Sequence, residues 1–306
     1  MATAVLSCLL AASALAAPAP VPDVRQAPPE GFSACLRPLA RTWRFDLYEL
    51  SFPSPLKSRF ASDETVWGRV YVPRRPARGG VLLLPVLAAP NRWIEERFAY
   101  ALVTEGYTVL QLDLPYQFQR APPSTLSGQV FLARRPDLLA RNFAQAVLDA
   151  RRALGWLAGS GLADPRRLVL MGVSLGALVG STTLSVDSRP AGGVLLLGGA
   201  DFPTLLADGE MTKPFLEKAG ITAAALRGAF RGLDPLEYRE ANRGKRVVLV
   251  NVKNDLVIPL ANALKLREAF PDGRQLLLPL GHYTAMLHLV WMPAYAARQV
   301  SRLLPD

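Results

Sequence analysis

Residues 166–180, RRLVLMGVSLGALVG, read as a strand that turns directly into a helix, with Ser174 at the corner. The apolar run 168–171 is typical of a strand that is covered on both faces of a parallel sheet. Gly172 and Gly176 give the pattern G-x-S-x-G and leave room for a strained backbone at the serine, since a Cβ at either position would crowd the turn. The stretch predicts a sharp strand-to-helix turn, although a glycine-rich turn that only packs a helix on a sheet would carry the same letters.

The position of Ser174 in this turn suits nucleophilic chemistry. A serine hydroxyl is a poor nucleophile unless it is lifted clear of its neighbours and paired with a base. The turn exposes the hydroxyl, and the free N–H groups at the start of the next helix can stabilise a developing oxyanion. Ser174 is therefore the candidate nucleophile.

Strand and helix patterns alternate along most of the chain, which predicts an α/β protein with a mostly parallel, doubly wound sheet. Besides the strand before Ser174, strands are predicted at 43–50 and 66–72, as an antiparallel edge, and at 81–84, 107–112, 193–197, 247–252 and 275–278. Helices are predicted at 91–105, 137–158, from the elbow to 186, at 261–270, and over the C-terminal remainder with an interruption at Pro293. Residues 116–136 are predicted to be a surface excursion, and 201–243 a small helical cap inserted at the strand ends.

Two further residues follow predicted strands in the order that an acid and a base would need. Asp255 follows the strand 247–252, and His282 follows the strand 275–278. Functional groups gather at the carboxyl ends of strands in such a sheet. A histidine can there accept the serine proton and pass it to the leaving group, while an acid fixes the histidine tautomer.

Other candidates for the same roles remain open at the level of sequence. Asp201 also follows a strand and is the alternative acid, whereas Asp113 is expected to brace its turn. His288 is expected to pack within an apolar helix. The alternative for Asp255 is a carboxylate that caps its loop, and for His282 a partly buried side chain that bonds backbone groups.

Composition limits the compartment and the cofactors. Residues 1–17 are apolar, uncharged and end in small residues, which predicts a signal peptide, and 18–42 are expected to be a Pro-rich linker. No later apolar run is long enough to span a bilayer, so we expect a secreted or periplasmic protein without stable membrane insertion. Signal cleavage would leave Cys35 as the sole cysteine, and with His282 and His288 as the only histidines we expect no metal site and no cofactor.

The formal net charge of the 306-residue chain is +10. The basic residues occur as scattered pairs without interleaved aromatic residues, which favours a solvated basic surface over a nucleic-acid site. Weak attraction to an anionic membrane surface or a cell-wall polymer is compatible with the same charge.

These motifs together resemble the α/β-hydrolase superfamily from about residue 66 to the C-terminus, in its serine esterase, dienelactone-hydrolase or peptidase-like branches. The resemblance is carried by the helix, Asp-Pro turn and elbow of 151–177, by LDPLEY at 233–238 and by NVKNDLVIP at 251–259. It implies attack by Ser174 on a carbonyl, an acyl-enzyme, and hydrolysis by water that His282 activates. It also implies an oxyanion hole made by the backbone N–H groups of Leu175 and, in the loop after strand 81–84, Leu87.

One motif departs from that superfamily. The usual His-Gly after the strand VLLL is replaced by Pro85-Val86, followed by LAAP. Proline has no N–H to donate, and losing one oxyanion donor typically costs ~10²–10³ in rate. The departure leaves open a slow enzyme, a reshaped oxyanion hole or lost activity.

The sequence therefore favours a serine hydrolase that acts on an ester or related acyl group of a small-molecule or lipid-like substrate. An acyltransferase would use the same residues with a different acceptor. A binding protein that has lost catalysis is the alternative of another class. A nucleotide-binding protein is disfavoured, because GVSLGALVG matches neither G-x-G-x-x-G nor a P-loop.

Overall fold

A twisted sheet of nine strands runs through the residues that the computed structural model describes, 20–29 and 31–304. In chain order the strands are β1 (Cys35–Arg41), β2 (Phe45–Pro53), β3 (Thr65–Pro73), β4 (Gly80–Leu84), β5 (Thr108–Leu112), β6 (Leu168–Val173), β7 (Pro190–Leu196), β8 (Arg246–Val252) and β9 (Arg274–Leu278). The predicted signal segment, 1–17, lies outside the described residues, and the expected secreted or periplasmic localisation stays a prediction.

The order of the strands confirms a mostly parallel, doubly wound sheet. Across the sheet the order is β1-β2-β3-β5-β4-β6-β7-β8-β9. Strands β1, β2 and β3 pair antiparallel, and β3 joins β5 antiparallel. From β5 through β4 to β9 every pairing is parallel, so the carboxyl ends of these strands share one edge of the sheet.

Helices cover both faces of the sheet. They are α1 (Trp93–Thr104), α2 (Pro136–Gly159), α3 (Leu175–Val186), α4 (Phe202–Asp208), α5 (Lys213–Lys218), α6 (Ala223–Ala229), α7 (Leu260–Ala269) and α8 (Met292–Leu303). Helices α1 and α8 pack together on one face, while α2, α3 and α7 pack on the other. None of the helices within the described residues combines the length and apolar character that a membrane crossing requires.

The apolar runs of the central strands divide between these two faces. In β6, Leu168 and Leu170 belong to the core under α2 and α3, while Val169 and Met171 belong to the core under α1 and α8. Successive side chains of a strand point to opposite faces, so a strand buried on both sides needs apolar residues at every position. The continuous runs in the sequence follow from this double burial.

The first described residues lie against α2. Arg151 Nη1 donates to the carbonyl oxygens of Val24, at 2.5 Å, and Gln26, at 2.7 Å, and Val24 is buried. Further along, β1 pairs with β2 over residues that the sequence predicted as part of a linker over 18–42. The segment that composition alone predicted to be an extended linker is therefore held in place, partly by Arg151 and partly by the backbone hydrogen bonds of β1.

The segment 116–136 is anchored in the core, and the prediction of a surface excursion is wrong for its anchoring residues. Arg120 is completely buried and forms ion pairs with Asp63 and Asp149, each at 2.8 Å. Tyr116 and Phe131 are buried in the core under α2. A buried arginine is tolerated because two carboxylates from distant parts of the chain compensate its charge.

The segment 201–243 forms three short helices, α4 to α6, and a 3₁₀ turn at Pro235–Tyr238. Phe202 and Phe230 from this segment pack on Phe143 of α2, with ring centroids 4.9 and 5.8 Å from it. Pro293 lies in the first turn of α8 and does not interrupt a helix. Proline is tolerated there because the N–H of a first-turn residue has no acceptor within the helix, so its loss costs no hydrogen bond. We refer to residues 201–243 below as the cap.

Candidate active site

Ser174 stands between β6 and α3 in a strained backbone conformation, with φ 52° and ψ −114°. A Cβ on Gly172 would lie 2.1 Å from the carbonyl oxygen of Gly176, and one on Gly176 would lie 2.2 Å from that of Leu84. Neither position can therefore carry a side chain. The two glycines allow the turn to close and let it press against the end of β4.

The three residues that the sequence predicted as nucleophile, base and acid lie in one hydrogen-bonded chain. Ser174 Oγ is 3.2 Å from His282 Nε2, and His282 Nδ1 is 2.9 Å from Asp255 Oδ2. The side chain of His282 is 12% exposed and that of Asp255 is 2% exposed. Ser174 and the imidazole are therefore partly exposed, whereas the carboxylate is buried.

The loop after β8 fixes the orientation of the Asp255 carboxylate. Asp255 Oδ1 accepts the backbone N–H groups of Val257, at 2.9 Å, and Ile258, at 2.8 Å. Such bonds stabilise an ionised carboxylate. With Asp255 acting as acceptor, His282 carries its proton on Nδ1 and presents the Nε2 lone pair to the serine hydroxyl. The carboxylate thus both caps its loop and orients the histidine.

The alternative acid, Asp201, is engaged elsewhere. Its carboxylate forms an ion pair with Lys265. Burial alone would raise the pKa of Asp201, but the hydrogen bond from Lys265 lowers it below its usual value. Among the described residues Asp201 has no hydrogen bond to His282, so the structure brings Asp255 and not Asp201 to the histidine.

The other two residues considered from sequence also have partners of their own. Asp113 is buried and paired with Arg92, whose Nη2 lies 2.5 Å from Oδ2. Burial raises the pKa of Asp113 in spite of that arginine. His288 Nδ1 accepts the indole N–H of Trp291 at 2.6 Å. Asp113 is part of a brace at the end of β5, and His288 belongs to a surface pair.

The loop after β4 faces the elbow and is held at one residue, Val86, through both its N–H and its carbonyl oxygen. The N–H of Val86 donates to Glu95 Oε1 at 3.0 Å. The carbonyl oxygen of Val86 accepts from Gln117 Nε2 at 2.7 Å. In the part of the chain that the structure describes, the backbone N–H groups of Leu87 and Leu175 have no hydrogen-bond partner. These are the two N–H groups that the family resemblance assigns to the oxyanion hole, and their role there stays a prediction.

Two cavities meet at Ser174. The first, which we call the cap cavity, has a volume of about 50 Å³ and lies between the serine, α2 and the cap. The second, the histidine cavity, has a volume of about 270 Å³ and lies between the loop after β4, α1 and the segment that follows His282. Leu87 lines both cavities, as expected of a residue beside the reacting group. Over the described residues, no group of three or more His, Cys, Asp or Glu side chains is placed to hold a metal ion.

Comparison with known proteins rests on structure alone. No family model and no curated protein matches the chain. Among solved structures, an acetyl xylan esterase from Paenibacillus sp. R4 superimposes with a TM-score of 0.65 at 14% identity, covering 86% of this chain and 89% of its own. A cold-adapted esterase from an Arctic intertidal metagenomic library gives 0.61 at 17% identity, covering 87% and 97%.

The chain has the α/β-hydrolase fold. An acylaminoacyl peptidase of Pyrococcus horikoshii agrees with this, with a TM-score of 0.60 at 14% identity over 84% of this chain and 40% of its own. At such identities the likeness establishes the fold and leaves the activity to be argued from the site.

Within this α/β-hydrolase fold, the clamp on Val86 is the feature that sequence reasoning missed. Glu95 is completely buried in the first turn of α1, and burial raises the pKa of its carboxyl group. Its second oxygen, Oε2, is buried with no hydrogen-bond partner among the described residues. One signal was available: Glu95 shares the helix face of Phe98, Ala99 and Leu102, at the i, i+3, i+4, i+7 spacing of an apolar stripe. A carboxylate at such a position indicates a specific polar partner.

Proposed function

We propose that this protein is a serine hydrolase that cleaves a carboxylic ester or related acyl substrate through an acyl-enzyme on Ser174. The observation that carries the proposal is the hydrogen-bonded chain from Ser174 Oγ through His282 to Asp255, at 3.2 and 2.9 Å. It has the geometry that a base needs to take the proton of a serine hydroxyl.

Each residue then has a defined step. His282 Nε2 takes the proton as Ser174 Oγ attacks the carbonyl carbon, and Asp255 stabilises the resulting imidazolium. The N–H groups of Leu175 and Leu87 donate to the oxyanion. His282 gives its proton to the leaving oxygen, which departs as an alcohol and leaves the acyl group on Ser174. Water then attacks the acyl carbon with His282 again as base, the bond from that carbon to Ser174 Oγ breaks, and His282 returns the proton to Ser174 as the carboxylic acid leaves.

The departure from His-Gly in the loop after β4 does not remove the donor that this scheme needs. Pro85 has no N–H, but the proposed second donor belongs to Leu87, and its N–H is free among the described residues. Glu95 accepts the N–H of the preceding residue, Val86, at 3.0 Å, and Gln117 donates to the carbonyl oxygen of Val86 at 2.7 Å. We therefore assign the oxyanion role to a clamped loop rather than to a glycine-containing one.

The names of the structural neighbours support an ester as substrate. Two of them are an acetyl xylan esterase and a cold-adapted esterase. Ester hydrolysis is the activity common to both, and the present site contains the groups that this reaction requires.

Labelling with a fluorophosphonate tests the proposal directly. This reagent phosphonylates a serine that an adjacent base activates, so we expect one label per chain, on Ser174, in the intact protein. Ser174→Ala is the matched control and should take up none. Equal labelling of the wild type and this variant would contradict the proposed nucleophile.

A further inference from the structure

The two cavities at Ser174 differ in their relation to His282. The imidazole lines the histidine cavity and is absent from the lining of the cap cavity. Ser174 and Leu87 line both. A carbonyl that Ser174 attacks would therefore lie at the junction, with one substituent of the ester on each side.

Proton transfer decides which substituent lies where. His282 must protonate the leaving oxygen, so that oxygen has to lie within hydrogen-bond reach of Nε2. The alcohol part of the ester then extends into the histidine cavity. The acyl chain extends to the other side, into the cap cavity.

The cap cavity is small, and aromatic rings form part of its wall. Its volume of about 50 Å³ equals roughly two to four groups the size of a water molecule. Phe143, Phe202 and Phe230 contribute to its wall, and all three are buried. Among the described residues that line it, the polar side chains are those of Ser174 and Thr212, and Thr212 donates to the carbonyl oxygen of Leu206 at 2.6 Å. This cavity fits a short alkyl chain better than a polar one.

The histidine cavity is about five times larger and is also apolar. Its lining includes Ile94, Phe98, Leu289 and Met292, and the polar side chains among its described lining residues are those of Ser174, His282 and Tyr283. Within the part of the chain that the structure describes, neither cavity is lined by Asp, Glu, Lys or Arg. A sugar would leave several hydroxyl groups unpaired there, which is unfavourable for buried polar groups, and a charged alcohol would have no counter-ion.

From this we infer the substrate class: a neutral ester that joins an acyl chain of about two to four carbons to an apolar alcohol of cyclohexyl size or larger. The inference rests on the proposed function, because it takes His282 as the acid that protonates the leaving group. It gives the cap the role of limiting acyl length, and it gives α1 and the segment after His282 the role of accepting the alcohol.

Two ester series test the two cavities separately. In the acyl series, cyclohexyl acetate, butanoate and octanoate share one alcohol. We expect kcat/KM for the octanoate to be at least about tenfold below that for the butanoate, since the extra methylenes have no room. In the alcohol series, cyclohexyl acetate and 6-O-acetylglucose share one acyl group and have aliphatic leaving groups of similar size. We expect at least about a tenfold preference for cyclohexyl acetate.

Paired variants then assign each preference to its cavity. Leu132 is a half-buried wall residue of the cap cavity, and Ile94 is a half-buried wall residue of the histidine cavity. Leu132→Ala should raise the octanoate-to-acetate ratio of kcat/KM without altering the alcohol preference. Ile94→Trp should reduce the ratio of cyclohexyl acetate to ethyl acetate without altering the acyl preference. Because each ratio comes from one preparation, it does not depend on the fraction of folded protein.

Particular outcomes would overturn the inference. Fluorophosphonate labelling of Ser174 together with a preference for octanoate, or for the acetylated sugar, would leave the hydrolase standing and refute the substrate class. A variant that changes the opposite series would refute the assignment of the cavities. If Ser174 takes no label and no ester is turned over, the proposed function and this inference both fail.

Discussion

The two sides of Ser174 are held in different ways. On one side, Asp255 and His282 each follow a strand, and the backbone of a short loop fixes the carboxylate through Val257 and Ile258. On the other side, the loop after β4 is held by side chains, Glu95 from α1 and Gln117 from beyond β5. The first arrangement depends on sheet topology, whereas the second depends on two side-chain contacts with one residue, Val86.

Mutation should affect the two sides of Ser174 differently. Residues on the strand-end side act through their own side chains, so substitution should remove a chemical step. The loop side acts through backbone N–H groups, which no substitution removes cleanly, but its two clamps are side chains. Substitution of these two side chains therefore tests the oxyanion site indirectly, and we expect it to lower kcat less than loss of a residue on the strand-end side.

Loss of the base should have the largest effect. In His282→Ala no group remains to accept the proton of Ser174 at the 3.2 Å now seen, and we expect kcat to fall by a factor on the order of 10⁵–10⁶. Steady-state hydrolysis of cyclohexyl acetate measures it. His288→Ala, which only disturbs the surface pair with Trp291, is the matched histidine control. A His282→Ala variant that retains a tenth of the wild-type kcat would rule out this residue as the base.

The acid should rank second. Asp255→Asn should lower kcat by ~10⁴, because an amide can present its N–H to His282 and favour the wrong tautomer. Asp201→Asn, which removes only the ion pair with Lys265, should lower it by less than about tenfold. Both variants are compared on the same ester, with circular dichroism as a check on folding. The reverse ranking would transfer the acid role to Asp201.

The strand-end side was largely predictable from the sequence because its determinants are local. Gly172 and Gly176 flank Ser174 because neither position has room for a side chain. A Cβ there would lie 2.1 and 2.2 Å, respectively, from a backbone carbonyl oxygen. Asp255 and His282 follow apolar runs, and parallel strands bring their carboxyl ends to one edge. In a regular parallel sheet, residues that follow different strands along the chain therefore come close together in space.

The loop side could not be predicted in the same way. Nothing near Val86 in the sequence points to Glu95 or Gln117 as its partners, since the contact depends on how α1 and the segment after β5 pack. The same limit applies to Arg120, whose buried ion pairs with Asp63 and Asp149 join three distant segments. The composition of 116–136 predicted a surface excursion, whereas ion pairs across the fold bury Arg120.

The clamp on the loop gives the third effect in size. Glu95→Leu removes the acceptor for the Val86 N–H, which frees the loop and misplaces the neighbouring donor on Leu87. Complete loss of one oxyanion donor costs ~10²–10³ in rate, so a misplaced one should cost about 10 to 10² in kcat. KM should change little, because the oxyanion forms only in the transition state.

Glu95→Gln is the conservative partner of that variant. Its amide oxygen can still accept the Val86 N–H, so we expect kcat within a few-fold of the wild type. If Gln and Leu at this position reduce kcat equally, the carboxyl group does not act as a positioning residue through that hydrogen bond. If both change KM and leave kcat intact, the clamp acts on substrate binding instead.

The smallest effect should appear in stability and follow from the buried charge of Glu95. Burial raises the pKa of this carboxyl group above its unfolded value of ~4.3. A raised pKa means that the folded state holds the proton more tightly, so this contribution to stability is complete below the unfolded pKa and is lost as pH rises through the folded pKa.

Glu95→Gln stays neutral at every pH and provides the reference. Urea unfolding of both proteins between pH 4 and 8 should show the free energy of unfolding of the wild type falling relative to the variant as pH increases, by ~1.4 kcal/mol for each unit that separates the two pKa values. A difference in unfolding free energy between the two proteins that is constant over this range would mean that Glu95 has the same pKa in the folded and unfolded states. A difference that grows in favour of the wild type as pH increases would mean that the fold stabilises the ionised form of Glu95.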